Sequence, residues 1–385
     1  MCEMINCDLL SRRIGQIWTL LRFISARVSL LFTGYRDVWL ISERGKDARD
    51  NGYAFYRWVK LSHPEIQLKY VISKDSKDYH KIDRSDVIEF DSFRHFLYLC
   101  SAKYLISTHI VGYTPDHALF YMMDRQFRIF KKQKKIFLQH GITKDYLEAL
   151  FYGNVDLDLF VCGSSLEYNY VKENFGYPDG VVKYTGLCRF DTLNNYKSKK
   201  QILIMPTFRM YIDRNKFEHS EYFRVYKELL SSDHFANLLE RYDYSAVFYP
   251  HYEFQSKISL FKSLTLSSRI SIADMTYDVQ QLLKESDILI TDFSSVFFDM
   301  MYMNKPMVFY QFDENKYRES HYKKGYLDYS DVAPVVYQLP DLLKTVEQII
   351  TDDCYIGTYV KYYTKTFPLR DESNCKRVYE AVLQC

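Results

Sequence analysis

Four segments of this sequence set chemically capable side chains directly after short apolar runs. "FLQHG" ends in His140-Gly141, "MPTFR" carries Thr207 and Arg209, "FYPHY" carries His251, and "DILITDFSS" ends in Thr291, Asp292, Phe293, Ser294 and Ser295. Histidine titrates near neutral pH and suits a general base. Arginine presents a planar fork that grips two oxygens of a diphosphate at once. Gly141 permits close approach of the backbone. Ser294, Ser295 and Val296 are expected to form the first turn of a helix, with unpartnered N–H groups and the positive end of the helix dipole facing out. A phosphate is the natural guest there, and the serine hydroxyls either cap the helix or donate to the same anion. Each residue alone has an ordinary structural use. Two histidines at strand ends, one in each half, together with an arginine and a helix start, point to an activated hydroxyl and a bound diphosphate.

The elements that must position these residues alternate in type. Strands are expected at Asp37–Ser42, Leu68–Ser73, Lys103–Thr108, Lys134–Gly141, Leu157–Ser164 and Val181–Gly186, with helices between them. A polar stretch from Asn194 to Lys200 interrupts the pattern, which then restarts at Gln201–Phe208, Tyr244–His251, Ile270–Asp274, the "DILITD" run and "PMVFY". Alternation of this kind implies βαβ units and mainly parallel sheets. The expected fold class is α/β, with two Rossmann-like doubly wound domains facing across a cleft and an N-terminal amphipathic helix. Ligands of such sheets bind outside the carboxyl ends of the strands. The division expected is an N-terminal helix at 1–35, a first Rossmann-like domain at 36–195, a second at 200–370 and a closing helix at 371–385.

The chain has 385 residues, with 47% hydrophobic and 26% charged residues, which suits a globular protein of two domains. Net charge is +2, from 51 basic and 49 acidic residues, so a dedicated nucleic-acid binder is not expected. No two of the eight cysteines have the close spacing of a zinc knuckle or a redox dithiol, and they read as reduced cytosolic thiols. No signal peptide is expected. The stretch from Ile14 to Arg36 is apolar but interrupted by Arg22 and Arg27, a poor spanning helix. It fits either a helix lying in a membrane interface or one packed on the first domain.

The combination "QHG", "TGLCRFD", "PTFR", "PH" and "DILITDFSSVFFDMMYMNKPMVFY" resembles the CDP-glycerol glycerophosphotransferase family, the teichoic acid primases and polymerases with their ribitol-phosphate relatives. The similarity runs over roughly residues 37–384, and "DARDNGYAFYRWV" resembles the family's Asn-Gly turn before its first helix. The resemblance implies a GT-B fold and transfer of a polyol phosphate from a CDP-activated donor, CDP-glycerol or CDP-ribitol, to a hydroxyl of a lipid-linked or polymer acceptor, with release of CMP. It implies His140 as the base. Arg209, Thr207, His251, Thr291, Asp292, Ser294, Ser295 and Asp299 are implied on the donor side, and Gly141, Lys144 and Asn51 near the acceptor. The surroundings of His140 depart from the common family pattern, which bears on the acceptor more than on the reaction.

No Asp-X-Asp pair follows a strand, since Asp156 and Asp158 precede one, and no metal or cofactor is expected to be required. The expected setting is cytoplasmic, peripheral on the inner face of the membrane, in synthesis of teichoic acid or a capsule-type polymer. A nucleotide-sugar glycosyltransferase or UDP-sugar epimerase on the same architecture is the competing enzyme. A non-catalytic envelope or nucleic-acid-binding protein is the competing non-enzyme. In "TGLCRFD", Arg189 either pairs with Asp191 or faces the cleft, in a segment read as a hinge.

Overall fold

In the computed structural model, which describes residues 2–34, 37–352 and 355–385 with side chains from Gly15 onward, short apolar runs become the strands of two parallel sheets. The first half contains β1 (Val38–Ser42), β2 (Gln67–Ile72), β3 (Val87–Glu89), β4 (Tyr104–Ser107), β5 (Lys134–Phe137), the two-residue β6 (Asp145–Tyr146), β7 (Leu159–Cys162) and β8 (Val182–Tyr184). All but β6 form a seven-stranded sheet in the order β3-β2-β1-β4-β5-β7-β8. The second half contains β9 (Lys199–Ile204), β10 (Ser245–Phe248), β11 (Ile270–Ile272), β12 (Ser286–Thr291), β13 (Met307–Tyr310), β14 (Lys323–Lys324) and β15 (Val335–Val336). All but β14 form a six-stranded sheet in the order β11-β10-β9-β12-β13-β15. β6 and β14 pair antiparallel and so tie the halves together. Strand order switches between β1 and β4 in one sheet and between β9 and β12 in the other, the points where such sheets open a ligand crevice.

Every residue of β1 is buried, as a central parallel strand covered on both faces requires. Its side chains alternate: Val38 and Leu40 enter one apolar cluster, Trp39 and Ile41 another. The second of these clusters also takes in Leu203, Leu289, Met307 and Phe309, so one core runs through both halves. The closing helix, Asn374–Leu383, returns to the first half. Asp191 accepts hydrogen bonds from the Asn374 and Cys375 N–H groups at 2.8 Å each, and Tyr379 stacks on Trp39. Gly186 at the end of β8 has φ +77°, and a β-carbon there would meet Asn374 Oδ1 at 1.8 Å, so the position requires glycine.

The N-terminal helix spans Cys2–Thr33. Its Phe23, Ala26 and Leu30 are buried, with Phe23 edge-on to Phe96 at 4.8 Å. Its other face leaves Ile17, Trp18, Leu21, Ile24, Val28, Leu31 and Phe32 exposed, Leu31 and Phe32 by 81% and 86%. The side chains of Cys2, Cys7, Arg12, Arg13 and Ile14, and all of Arg36 and Cys354, lie outside the described residues. Cys100, Cys162, Cys188, Cys375 and Cys385 are free thiols.

The helices His117–Phe127, Asp233–Tyr242, Leu339–Thr351 and Gly357–Thr366 were not anticipated. After β12 the helix is Phe297–Tyr302, later than expected. Ser295 and Val296 form a turn before it, with Phe298 N–H donating to Ser295 O and Asp299 N–H to Val296 O, both at 3.1 Å.

Candidate active site

β5 delivers the chain into a strained turn. Gln139 has φ +61°, uncommon for a residue with a β-carbon. Its buried amide holds that conformation: Nε2 donates to Val161 O at 2.6 Å and to Glu167 Oε1 at 2.8 Å, and Oε1 accepts from Thr143 Oγ1 at 2.9 Å. Glu167 also accepts from Gly163 N–H at 2.6 Å, so one buried carboxylate organises the whole turn. His140 then presents its ring to open space, stacked on His109 at 4.3 Å and 6° from parallel. Its Nδ1 lies 3.3 Å from the Thr108 carbonyl oxygen, which can only accept. Nδ1 therefore carries the proton and the Nε2 lone pair is free. Desolvation holds its pKa below the ordinary histidine value, with the cations of Arg189 and Arg44 adding to that and the Asp50 carboxylate opposing it. Burial and the neighbouring His140 push His109 down to about 2, so the stacked pair does not share a second positive charge.

In the second half, Thr207, Arg209, Thr291 and Asp292 form a buried knot at the β9/β12 switch point. Arg209 Nε and Nη2 lie 2.6 and 2.9 Å from the Asp313 carboxylate, and Nη1 lies 2.8 Å from Asp292 Oδ2. Asp292 Oδ1 accepts from Thr207 N–H at 2.9 Å, and Thr291 Oγ1 donates to Met205 O at 2.7 Å. Two carboxylates around one guanidinium leave no surplus positive charge. The expectation that Arg209 forks onto a diphosphate is therefore corrected: its fork binds Asp313, and it holds the strand ends in place. His251 is set differently. Its Nδ1 accepts from Glu253 N–H at 3.2 Å, so Nε2 carries the proton. Burial pushes its pKa down to about 4, which keeps it a neutral donor near pH 7. Ser294 and Ser295 are half-buried, and neither caps the following helix.

A cavity of ≈ 670 Å³ opens beside these loops, and His251, Ser294 and Ser295 are not among the residues that line it. Glu43, Arg44, Thr108, His109 and His140 line it from the first half; Tyr249, Tyr252, Met275, Val279, Leu283, Val296 and Asp299 line it from the second. Gly141 abuts Ser295, with the hydroxyl 2.8 Å from where a β-carbon would stand. Asp299 is not free at the cavity wall: it receives Arg189 Nε and Nη2 at 3.0 and 2.9 Å. Asn51 and Lys144, expected near the acceptor, are committed internally. Asn51 donates to Gln139 O at 2.7 Å and accepts from Arg189 N–H at 3.0 Å. Lys144 is buried and ion-paired with Asp145. His109, Asp50 and Arg189 were missed as site residues. His109 follows the β4 run "YLIS" by two positions, the same signal that singled out His140, while Asp50 caps the helix Asn51–Ser62 and follows no strand. Arg189 pairs with Asp50 and Asp299, whereas Asp191 caps the closing helix.

With this geometry in view, the sequence matches the family described as CDP-glycerol:poly(glycerophosphate) glycerophosphotransferase over residues 24–384. The chain belongs to this family. It is 31% identical over 372 residues to the minor teichoic acid biosynthesis protein GgaB of Bacillus subtilis (strain 168), covering 91% of this chain and 40% of that protein. The chain thus spans less than half the length of that relative. It is 22% identical over 392 residues to the teichoic acid glycerol-phosphate transferase of Staphylococcus aureus, covering 90% and 92% of the two chains. Among solved structures, the wall teichoic acid polymerase TagF superposes with a TM-score of 0.66 at 18% identity, covering 96% of this chain and 97% of that one. The UDP-GlcNAc 2-epimerase of Methanocaldococcus jannaschii superposes with a TM-score of 0.55 at 10% identity, covering 90% and 99%. These likenesses show a GT-B-like α/β fold shared by both kinds of enzyme.

Proposed function

We propose that this chain transfers glycerol phosphate or ribitol phosphate from a CDP-activated donor to a hydroxyl of a lipid-linked or polyol-phosphate acceptor, with release of CMP. His140 Nε2 takes the acceptor's proton as the oxygen attacks the phosphorus bearing the polyol. The bond from that phosphorus to the bridging oxygen breaks, and CMP leaves with the electron pair. The N–H groups of Ser294 to Val296, the two serine hydroxyls and His251 Nε2–H hold the donor phosphates and offset the charge developing on them. Met275, Val279 and Leu283 give the nucleoside an apolar wall. Residues 36–195 then act as acceptor domain and residues 200–370 as donor domain, with the cavity as the cleft between them.

One observation carries this reading: the two histidines are fixed in opposite tautomers. His140 offers a lone pair and His251 offers a proton, the pairing that an attacking hydroxyl and an anionic leaving group require. The test is the nucleotide released from CDP-glycerol, CDP-ribitol and UDP-GlcNAc, identified by mass spectrometry together with the extended acceptor. CMP from a CDP-polyol supports the proposal. UDP release with no CMP would favour the epimerase or glycosyltransferase reading.

The exposed face of the N-terminal helix supports peripheral contact with the inner membrane surface, with Trp18 and Phe32 at the lipid interface. Among the described residues no helix is long and apolar enough to cross a membrane. Trp18→Glu with Phe32→Glu should abolish co-sedimentation with anionic lipid vesicles; undiminished binding would contradict this contact.

A further inference from the structure

Arg189 lies at 8% exposure, and its donors are divided between the two halves of the molecule. Nε and Nη2 fork onto Asp299 at 3.0 and 2.9 Å, while Nη1 reaches Asp50 Oδ1 at 3.0 Å and the carbonyl oxygen of His140 itself at 3.2 Å. Its own N–H donates to Asn51 Oδ1, and Asn51 Nδ2 donates to Gln139 O. The two carbonyls that flank the His140 backbone are thus held by Arg189 and by a residue docked on Arg189. Gln139 keeps its left-handed backbone inside this grip. The opposite end of the fork holds the first turn of the helix that follows the Ser294-Ser295 turn.

We infer that Arg189 is a positioning residue that makes the seating of His140 depend on the docking of the Ser295–Asp299 segment. The inference rests on the reading of His140 as base. A planar guanidinium can serve Asp299, Asp50 and the His140 carbonyl together, because its donors leave one plane in fixed directions. A lysine keeps the charge but cannot hold all three. Separation of the halves would then release His140 from its working position, and approach of the halves would restore it.

The experiment is single-turnover CMP release from CDP-glycerol by Arg189→Lys, by His140→Ala and by the double variant, with thermal unfolding of each. Misplacing a catalytic group by about 1 Å can cost roughly 10²-fold, so Arg189→Lys should lower the rate by about that factor with little change in donor KM. His140→Ala should cost about 10²–10⁴-fold. The double variant should be no slower than His140→Ala alone, because a residue acting through His140 has nothing left to position. A merely structural arginine would instead carry its full loss into the double variant, which would overturn the inference and leave the role of His140 standing. Wild-type turnover by His140→Ala would remove the base reading, and this inference with it. Should Arg189→Lys not fold, Asp299→Asn makes the same comparison from the other half: its loss should vanish in the His140→Ala background, and persistence there would overturn the inference equally.

Discussion

Gly141→Ala tests the contact that joins the two halves of the site. A methyl group at this position would stand 2.8 Å from Ser295 Oγ and 3.7 Å from Ser295 Cβ. The first distance is too short to persist, and the second is ordinary contact. Gly141 is not in the left-handed region, so the backbone accepts alanine and the whole perturbation falls on the serine hydroxyl. Turning that hydroxyl away from a staggered rotamer costs about 0.5–1.5 kcal/mol. At about 2–4 °C per kcal/mol for a chain of this order, Tm should fall by a few degrees. The functional loss should be larger. A hydrogen bond to a charged group contributes about 1.5–3 kcal/mol, so removing the hydroxyl from a donor phosphate should lower kcat/KM for CDP-glycerol roughly ten- to hundredfold. Adding Ser295→Ala removes the clash, so the double variant should regain Tm without regaining activity. CMP release and thermal unfolding on the same preparations decide the matter. Wild-type Tm and kcat/KM in Gly141→Ala would refute the contact, and full activity in the double variant would refute the role of the hydroxyl.

Three further outcomes are expected. The His140 base works when deprotonated and its pKa lies below the ordinary value, so the acid limb of kcat/KM should fall below about 6.5. Of the groups facing His140, Asp50 raises that pKa while Arg189 and Arg44 lower it and His109 stays neutral, so Asp50→Asn should move the limb to still lower pH; a move upward would contradict the assignment. Arg209→Met leaves Asp292 and Asp313 buried without their cation, and urea unfolding should report a loss of about 3–5 kcal/mol. An unchanged urea midpoint would contradict the knot described at the β9/β12 switch point.

The parallel strands were legible because buried on both faces they read as unbroken apolar runs, "VWLIS" and "DILIT" above all. The unanticipated helices carry their apolar residues on one face of a mixed sequence, as in "DHFANLLERY", and give no such run. His140 was singled out from its place after a strand, and it lies on the cavity wall. Arg209 was misread because residue type and position matched a phosphate ligand, while its true partner, Asp313, lies 104 positions away. Arg189 was undervalued for the same reason: Asp50 and Asp299 lie 139 and 110 positions away in sequence. Sequence spacing reports what a strand end offers to solvent, and says little about a partner brought in by the other sheet.

In the proposed mechanism an imidazole from the first half activates an alcohol against a phosphorus held by the second. The most direct measurement is single-turnover CMP release by His140→Ala with CDP-glycerol bound at saturation. A rate lower by about 10²–10⁴-fold with donor affinity retained is expected. A rate equal to that of the unaltered chain would contradict it.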